Sequence, residues 1–298
     1  MADKDYYTGK KGAAATPRQI ELEFTELPYA INEEMKTLRT NIQFCGRDKK
    51  VILLTSAVQN EGKTTLAVNL CRSLAELGKR VILIDADMRK SVMKSRIVSG
   101  KIDRGLSHFL SGQCELTDVF CKDEKTGIYL LPTGDYPPNP VELLAGDDMQ
   151  GLMKAAREQF DYVIVDCAPL GVVTDAAVLA PLCDGAVIVL NAGEVHYKLA
   201  QQVVTKLKNT GCSILGVILN QVNHQSNGRY YGKRYGYYRR YGRYGKYGYY
   251  KRYGRYYYKS DYYGQEPETK TKSEKKKTGT HQSGISLTSK KNRSAGKK

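Results

Sequence analysis

Six short stretches of this chain are continuously apolar: 51–55, 81–84, 128–131, 162–165, 186–190 and 215–219. Continuous rather than alternating hydrophobicity is what a strand shows when both of its faces are covered. Between the first two stretches, Lys63–Leu77 has helical spacing, with Leu66, Leu70, Leu74 and Leu77 recurring every three or four residues and Gly78 placed to end the helix. A further helix is expected over 29–44, with Met35, Leu38 and Ile42 on one face. Strand and helix in repeated alternation predict an α/β fold, a mostly parallel central sheet flanked by helices. The pattern ends near Asn223.

Beyond that point the text changes. Residues 228–264 are Arg, Lys, Gly and Tyr in loose repeats, and 265–298 are mainly Lys, Ser and Thr. With almost no Leu, Ile or Val to bury, both segments are expected to be disordered. Residues 1–27 are expected to form a flexible arm and 28–227 the folded body.

Charge divides at the same place. The whole chain of 298 residues carries +16, but 228–298 holds 21 Lys and Arg against 4 Asp and Glu, a net +17. The body is therefore close to neutral. Sixteen of the 23 tyrosines lie in the basic segment: Tyr230, Tyr231, Tyr235, Tyr237, Tyr238, Tyr241, Tyr244, Tyr247, Tyr249, Tyr250, Tyr253, Tyr256, Tyr257, Tyr258, Tyr262 and Tyr263. Seven scattered cysteines without a C-x-x-C pair exclude a zinc ribbon and argue against a disulfide framework, which fits a reducing cytoplasm. No apolar run reaches 18 residues, and no secretory leader is legible at the N-terminus.

The first strand runs into Ala57-Val-Gln-Asn-Glu-Gly-Lys-Thr-Thr65 and then into the first long helix. This meets G-x-x-x-x-G-K-[ST] with Ala57 in place of the first glycine, in the strand–loop–helix setting that such a motif requires. Backbone N–H groups of the loop and helix start would bind phosphate oxygens, with Ala57, Asn60, Glu61, Gly62, Lys63, Thr64 and Thr65 forming the nucleotide site. Lys63 would reach the β/γ oxygens, and the Thr64 hydroxyl would ligate Mg²⁺. Asn60 stands at a position that favours a left-handed backbone, which Asn tolerates. Asp85, Asp87 and Arg89 follow the second strand, and Asp166 ends the 162–165 strand. Carboxylates at the carboxyl ends of parallel strands face the crevice where such sheets bind ligands. The eukaryotic kinase signatures H-R-D, D-F-G and V-A-I-K are absent, as is G-x-S-x-G.

Taken together, these residues resemble the bacterial tyrosine kinases of capsular and exopolysaccharide synthesis, of the Gram-positive cytoplasmic type. Val51–Thr65 is similar to the family's Walker A segment, Ile82–Lys90 to its Walker A′ and Tyr162–Pro169 to its Walker B. Gly105-Leu-Ser and Thr133–Leu144 match connecting segments, and the tyrosine cluster completes the likeness. The resemblance implies a P-loop NTPase-like kinase that uses ATP and Mg²⁺, with Lys63, Asp85, Asp87 and Asp166 catalytic and Thr64, Asp85 and Asp166 near the metal. Arg89 would contact nucleotide, the acceptor segment or a neighbouring motif. It implies phosphorylation of the tail tyrosines in trans within a ring-like homo-oligomer, with Glu33, Lys36 and Arg39 at the oligomer interface and Lys36 replacing an arginine of the family pattern. It also implies a transmembrane activating adaptor of the polysaccharide co-polymerase type, a phosphotyrosine phosphatase, and recruitment to the inner face of the membrane. The basic tail adds attraction to anionic lipid. Each phosphate adds about −1.5 to −2, so roughly nine to eleven would cancel the tail's charge.

The rival reading is a partitioning or cell-division ATPase with a basic nucleic-acid- or membrane-binding tail. Val58 stands where those proteins carry a signature lysine, and they have no use for a tyrosine array.

Overall fold

A computed structural model describes residues 17–222; the expectations for the tyrosine cluster and basic tail lie outside the described residues. A nine-stranded sheet forms its centre: β1 (Arg18–Leu22), β2 (Val51–Ser56), β3 (Val81–Asp85), β4 (Ile97–Ser99), β5 (Cys121–Asp123), β6 (Tyr129–Leu131), β7 (Tyr162–Asp166), β8 (Gly185–Asn191) and β9 (Ile214–Asn220). The spatial order is β4-β1-β5-β6-β3-β7-β2-β8-β9. Only β1–β4 and β5–β6 pair antiparallel. Each apolar stretch read from the sequence is one of the strands from β2 to β9.

Alternate residues of the central strands feed two cores. Val51, Leu53, Ile82, Ile84, Val163, Val165 and Ile188 pack on one face, against helices α3 (Leu106–Leu110), α4 (Pro140–Ala145), α5 (Asp147–Gln159), α6 (Asp175–Leu179) and α7 (Tyr197–Asn209). Ile52, Leu54, Leu83, Ile164 and Val189 pack on the other, against α1 (Tyr29–Phe44) and α2 (Lys63–Ala75). This two-sided burial is the reason the strands read as unbroken apolar runs. The buried face of α2 is Ala67, Val68, Leu70, Cys71 and Leu74, while Leu77 lies past the helix end and is exposed. All seven cysteines are free. Among the described residues, no helix is long and apolar enough to cross a membrane.

Part of the expected N-terminal arm belongs to the sheet. Arg18–Leu22, inside the expected 1–27 arm, is a strand that runs parallel to β5 and antiparallel to β4. Its signal is only two inward residues, Ile20 and Leu22, between polar ones that face outward. Buried Asp123 holds it: its carboxylate accepts from the Leu22 N–H at 2.7 Å and from the Thr126 N–H and hydroxyl at 2.8 and 2.6 Å.

Asp123→Ala should therefore cost about 2–4 kcal/mol, because it strands a buried N–H and opens a turn. Urea denaturation reads the loss, and amide exchange should quicken first at Leu22. Unchanged exchange there would show that β1 docks without the carboxylate.

Candidate active site

Parallel pairing brings the site together. The register sets Asp85 directly opposite Asp166 on adjacent strands, about 4.8 Å apart in the backbone. Residues so paired point to the same face. Both carboxylates are almost fully buried. Asp85 Oδ2 accepts from the Ser91 hydroxyl at 2.5 Å and from the Thr133 N–H at 3.4 Å. Asp166 Oδ2 accepts from the Thr64 hydroxyl at 2.5 Å. The Oδ1 atom of each has no hydrogen-bond partner among the described residues. Burial and then the neighbouring Asp166 push the Asp85 carboxyl well above the usual range. Burial pushes Asp166 up to about 6, with Lys63 and the Thr64 hydroxyl opposing the rise.

The phosphate loop is built around Glu61. One oxygen of this buried carboxylate accepts from the N–H groups of Ala57 at 2.7 Å and Val58 at 2.8 Å; the other accepts from the Asn191 N–H at 2.9 Å. Glu61 thus shapes the loop from behind by tying it to β8. Asn60 takes the expected left-handed conformation, φ 63°. Gly62 is also left-handed at 85°, and a Cβ there would stand 2.2 Å from Asn220 Nδ2, which donates to the Glu61 carbonyl at 2.9 Å. The next residue, Lys63, opens α2 and is 7% exposed. No side chain caps α2, so its first N–H groups remain available to an anion.

Asp87 sits past the end of β3, where its Oδ1 accepts from the N–H groups of Arg89 at 3.3 Å and Lys90 at 3.0 Å. Arg89 makes a two-pronged ion pair, at 2.8 and 3.0 Å, with the buried carboxylate of Asp175 at the start of α6. Its guanidinium therefore braces the β3 loop against α6. Asp175 lies in an unremarkable Thr-Asp-Ala-Ala stretch, and nothing in the sequence pairs it with Arg89. Arg96 also escaped the sequence reading: it donates to the Thr65 hydroxyl at 2.5 Å and helps restrain the rise at Asp166. Glu33, Lys36 and Arg39 lie apart from this site, on α1. Lys36 pairs with Glu33 at 2.7 Å, and Arg39 donates to the Ser73 carbonyl of α2 at 2.8 Å.

Two buried carboxylates with unpartnered oxygens, beside a lysine and a helix N-terminus without a side-chain cap, fit a cation bound together with phosphates. Among the described residues, no three His, Cys, Asp or Glu side chains converge as a metal cage. A pair of carboxylates suits Mg²⁺, which takes one or two of them and fills its remaining positions with phosphate oxygens and water.

The AAA domain family model matches residues 49–213. Tyrosine-protein kinase CpsD of Streptococcus agalactiae is 38% identical over 206 residues, spanning 68% of this chain and 90% of that protein. Tyrosine-protein kinase YwqD of Bacillus subtilis is 31% identical over 229 residues, 76% and 96% of the two chains. The kinase domain of Escherichia coli tyrosine kinase ETK superposes with a TM-score of 0.63 at 28% identity, over 72% of this chain and 91% of that one.

The site's electrostatics give a sign that thermal melts can read. Asp166 ionises near 3.8 when unfolded and about 6 when folded. Between those values the native state holds the extra proton, so stability contributed here falls as pH rises from about 4 to 6. In nucleotide-free protein, Asp166→Asn should raise stability at pH 7 by on the order of 1–3 kcal/mol and flatten that slope. Added ATP and Mg²⁺ should stabilise the parent and not this variant. A variant less stable than the parent at pH 7 would mean that the chain itself already neutralises the charge.

Proposed function

The chain belongs to the bacterial tyrosine-protein kinases, within the AAA-domain family, and on that premise we propose which of its residues transfer phosphate from ATP to tyrosine. The observation that carries the reading is that Asp85 and Asp166, in register on adjacent strands near Lys63, each keep an oxygen without a partner among the described residues. The loop amides that remain available, the α2 N-terminus and Lys63 would hold the phosphates. Thr64, Asp85 and Asp166 would hold Mg²⁺. Bound together, ATP and Mg²⁺ supply the γ-phosphoryl group and neutralise charge as it moves. The tyrosine oxygen forms the new P–O bond as the bond to ADP breaks, and the phenol proton passes to Asp85 or Asp87. Little covalent work falls to the protein; placement and charge do the rest.

We assign the acceptors to the sixteen tyrosines between Tyr230 and Tyr263, used in trans. A tail modified at many sites reverses its charge in steps, which suits a graded release from neighbours and from anionic membrane. Oligomer contacts through Glu33, Lys36 and Arg39, a membrane-spanning adaptor, a phosphatase and recruitment to the inner membrane face complete the proposal. Regulation of polysaccharide synthesis and export is the pathway role that the motif resemblance implies, and we include it in the proposal. The partitioning-ATPase reading has less support, because the relatives cited above are tyrosine kinases matched along most of their length.

Lys63→Met should lower phosphotyrosine formation about 10³-fold, the consequence of removing several kcal/mol of transition-state stabilisation, while circular dichroism stays that of the parent. An unaltered anti-phosphotyrosine signal would refute the phosphate-loop assignment. In a mixture, a Lys63→Met chain with its natural tail should be labelled by an active chain whose sixteen tail tyrosines are Phe. Changing Glu33, Lys36 and Arg39 together to Ala in both chains should weaken that labelling. Absence of label on the Lys63→Met chain, while an active chain with its natural tail labels itself in a separate reaction, would refute transfer in trans.

A further inference from the structure

A cavity of about 170 Å³ opens beside Asp85, away from the phosphate loop. It holds less than the roughly 300 Å³ at which pockets for drug-sized molecules begin, yet has room for one side chain. Ile97, Ile102 and Pro132 supply apolar wall, and Tyr136 stands along it with its hydroxyl donating to the Ser91 carbonyl at 3.0 Å. Asp85 is 1% exposed, lines the cavity and keeps one carboxylate oxygen without a partner among the described residues. The rim carries Asp103 and Asp135, whose side chains are 52% and 83% exposed, with Lys94 as the opposing charge. With the buried Asp85 carboxyl pushed up by burial and by Asp166, the exposed charges of the lining are Asp103 and Asp135 against Lys94, a balance that disfavours a phosphate-bearing ligand and favours a cationic one. The apolar wall and the exposed Tyr136 ring suit an aromatic ring, by edge or stacked contact.

This chain contains a segment of that chemistry. Between 228 and 264, 11 Lys and Arg stand against a single acid, and nearly every tyrosine has a basic residue within one or two positions. We propose that this cavity is the acceptor pocket: it takes the ring of a tyrosine from 228–264, while Asp103 and Asp135 bind the Arg or Lys residues that flank it. The proposal rests on the kinase reading above and adds what selects the acceptor. A ring seated here brings its hydroxyl to Asp85, the residue that also faces Asp166. Asp103 is paired with Lys101 at 3.0 Å and Asp135 with His108 at 3.5 Å. Both pairs are solvent-exposed on the carboxylate side, so an incoming guanidinium displaces them at little cost.

The test offers two peptides to the full-length chain in one reaction: residues 239–247, Arg-Arg-Tyr-Gly-Arg-Tyr-Gly-Lys-Tyr, and the same sequence with every Arg and Lys replaced by Gln. Competition from the chain's own tail cancels in the ratio of their labelling rates. The basic peptide should be favoured about fivefold at low salt, the scale of two exposed ion pairs, and less as salt rises. Asp103→Asn with Asp135→Asn should bring the ratio close to one. Anisotropy of the fluorescent basic peptide, without nucleotide, should show the same loss of binding. Asp103→Lys with Asp135→Lys should turn preference toward a peptide with Glu at the four basic positions, a gain that misfolding does not produce. Equal labelling of both peptides by the parent chain overturns the acceptor-recognition proposal and leaves the kinase reading standing. Labelling of neither peptide, with no phosphotyrosine on the chain itself, overturns the kinase reading. A preference that persists in both double variants overturns the role of Asp103 and Asp135.

Discussion

Two carboxylates buried side by side are the constraint around which this molecule is arranged. Asp85 and Asp166 end neighbouring strands in register, each with an oxygen that no described group of the protein satisfies. Burial of like charges in a medium of low dielectric is unfavourable for the chain alone, and it is relieved by protons or by a bound cation. The site is thus unstable in the form in which it is ready to work. Lys63, the Thr64 hydroxyl and Arg96 moderate that strain at Asp166 and leave one oxygen of each carboxylate without a partner among the described residues. The nine-stranded sheet and its two covered faces supply the stability that makes this local cost tolerable.

The surroundings hold the site in place through contacts made within the chain itself. Glu61 fixes the loop through three backbone N–H groups, and Asn220 reaches in from β9 to fill the space at Gly62. Arg89 and Asp175 clamp the β3 loop to α6. These contacts tie the phosphate loop to the ends of β8 and β9 and the loop after β3 to α6, five parts of the chain far apart in sequence. Placement fixed before the ligand arrives is what phosphoryl transfer requires of a protein.

Charge is divided between regions as deliberately as shape. A near-neutral body offers an acidic crevice, and the chain's own C-terminal segment is strongly basic and rich in tyrosine. In the function proposed above, attraction of the tail would be strongest before modification and would reverse as phosphates accumulate, so the product would carry its own signal to leave. An interaction of this kind is summed over many residues and screened by salt.

The strands β2, β3 and β6–β9, the helix α2 and the phosphate loop were legible in the sequence because each is specified locally. Unbroken apolar runs, helical spacing and a Gly-Lys-Thr between them need no distant partner to be understood, and Asn60 declared its left-handed backbone by residue type. The kinship with tyrosine kinases was legible for the same reason, through short motifs. Strand β1 was not, since two inward residues give no period and its anchor, Asp123, lies 101 residues from Leu22. Nor did the sequence separate Glu61, which builds the loop, from the loop residues left to bind phosphate. The pairing of Asp85 with Asp166, the clamp of Arg89 on Asp175 and the acidic rim of Asp103 and Asp135 likewise depend on register and packing. Sequence determined which segments fold and what chemistry they carry. Which carboxylates face one another was decided only when the sheet brought together strand ends separated by some eighty residues, because charge and hydrogen bonding act through space and leave no period along the chain.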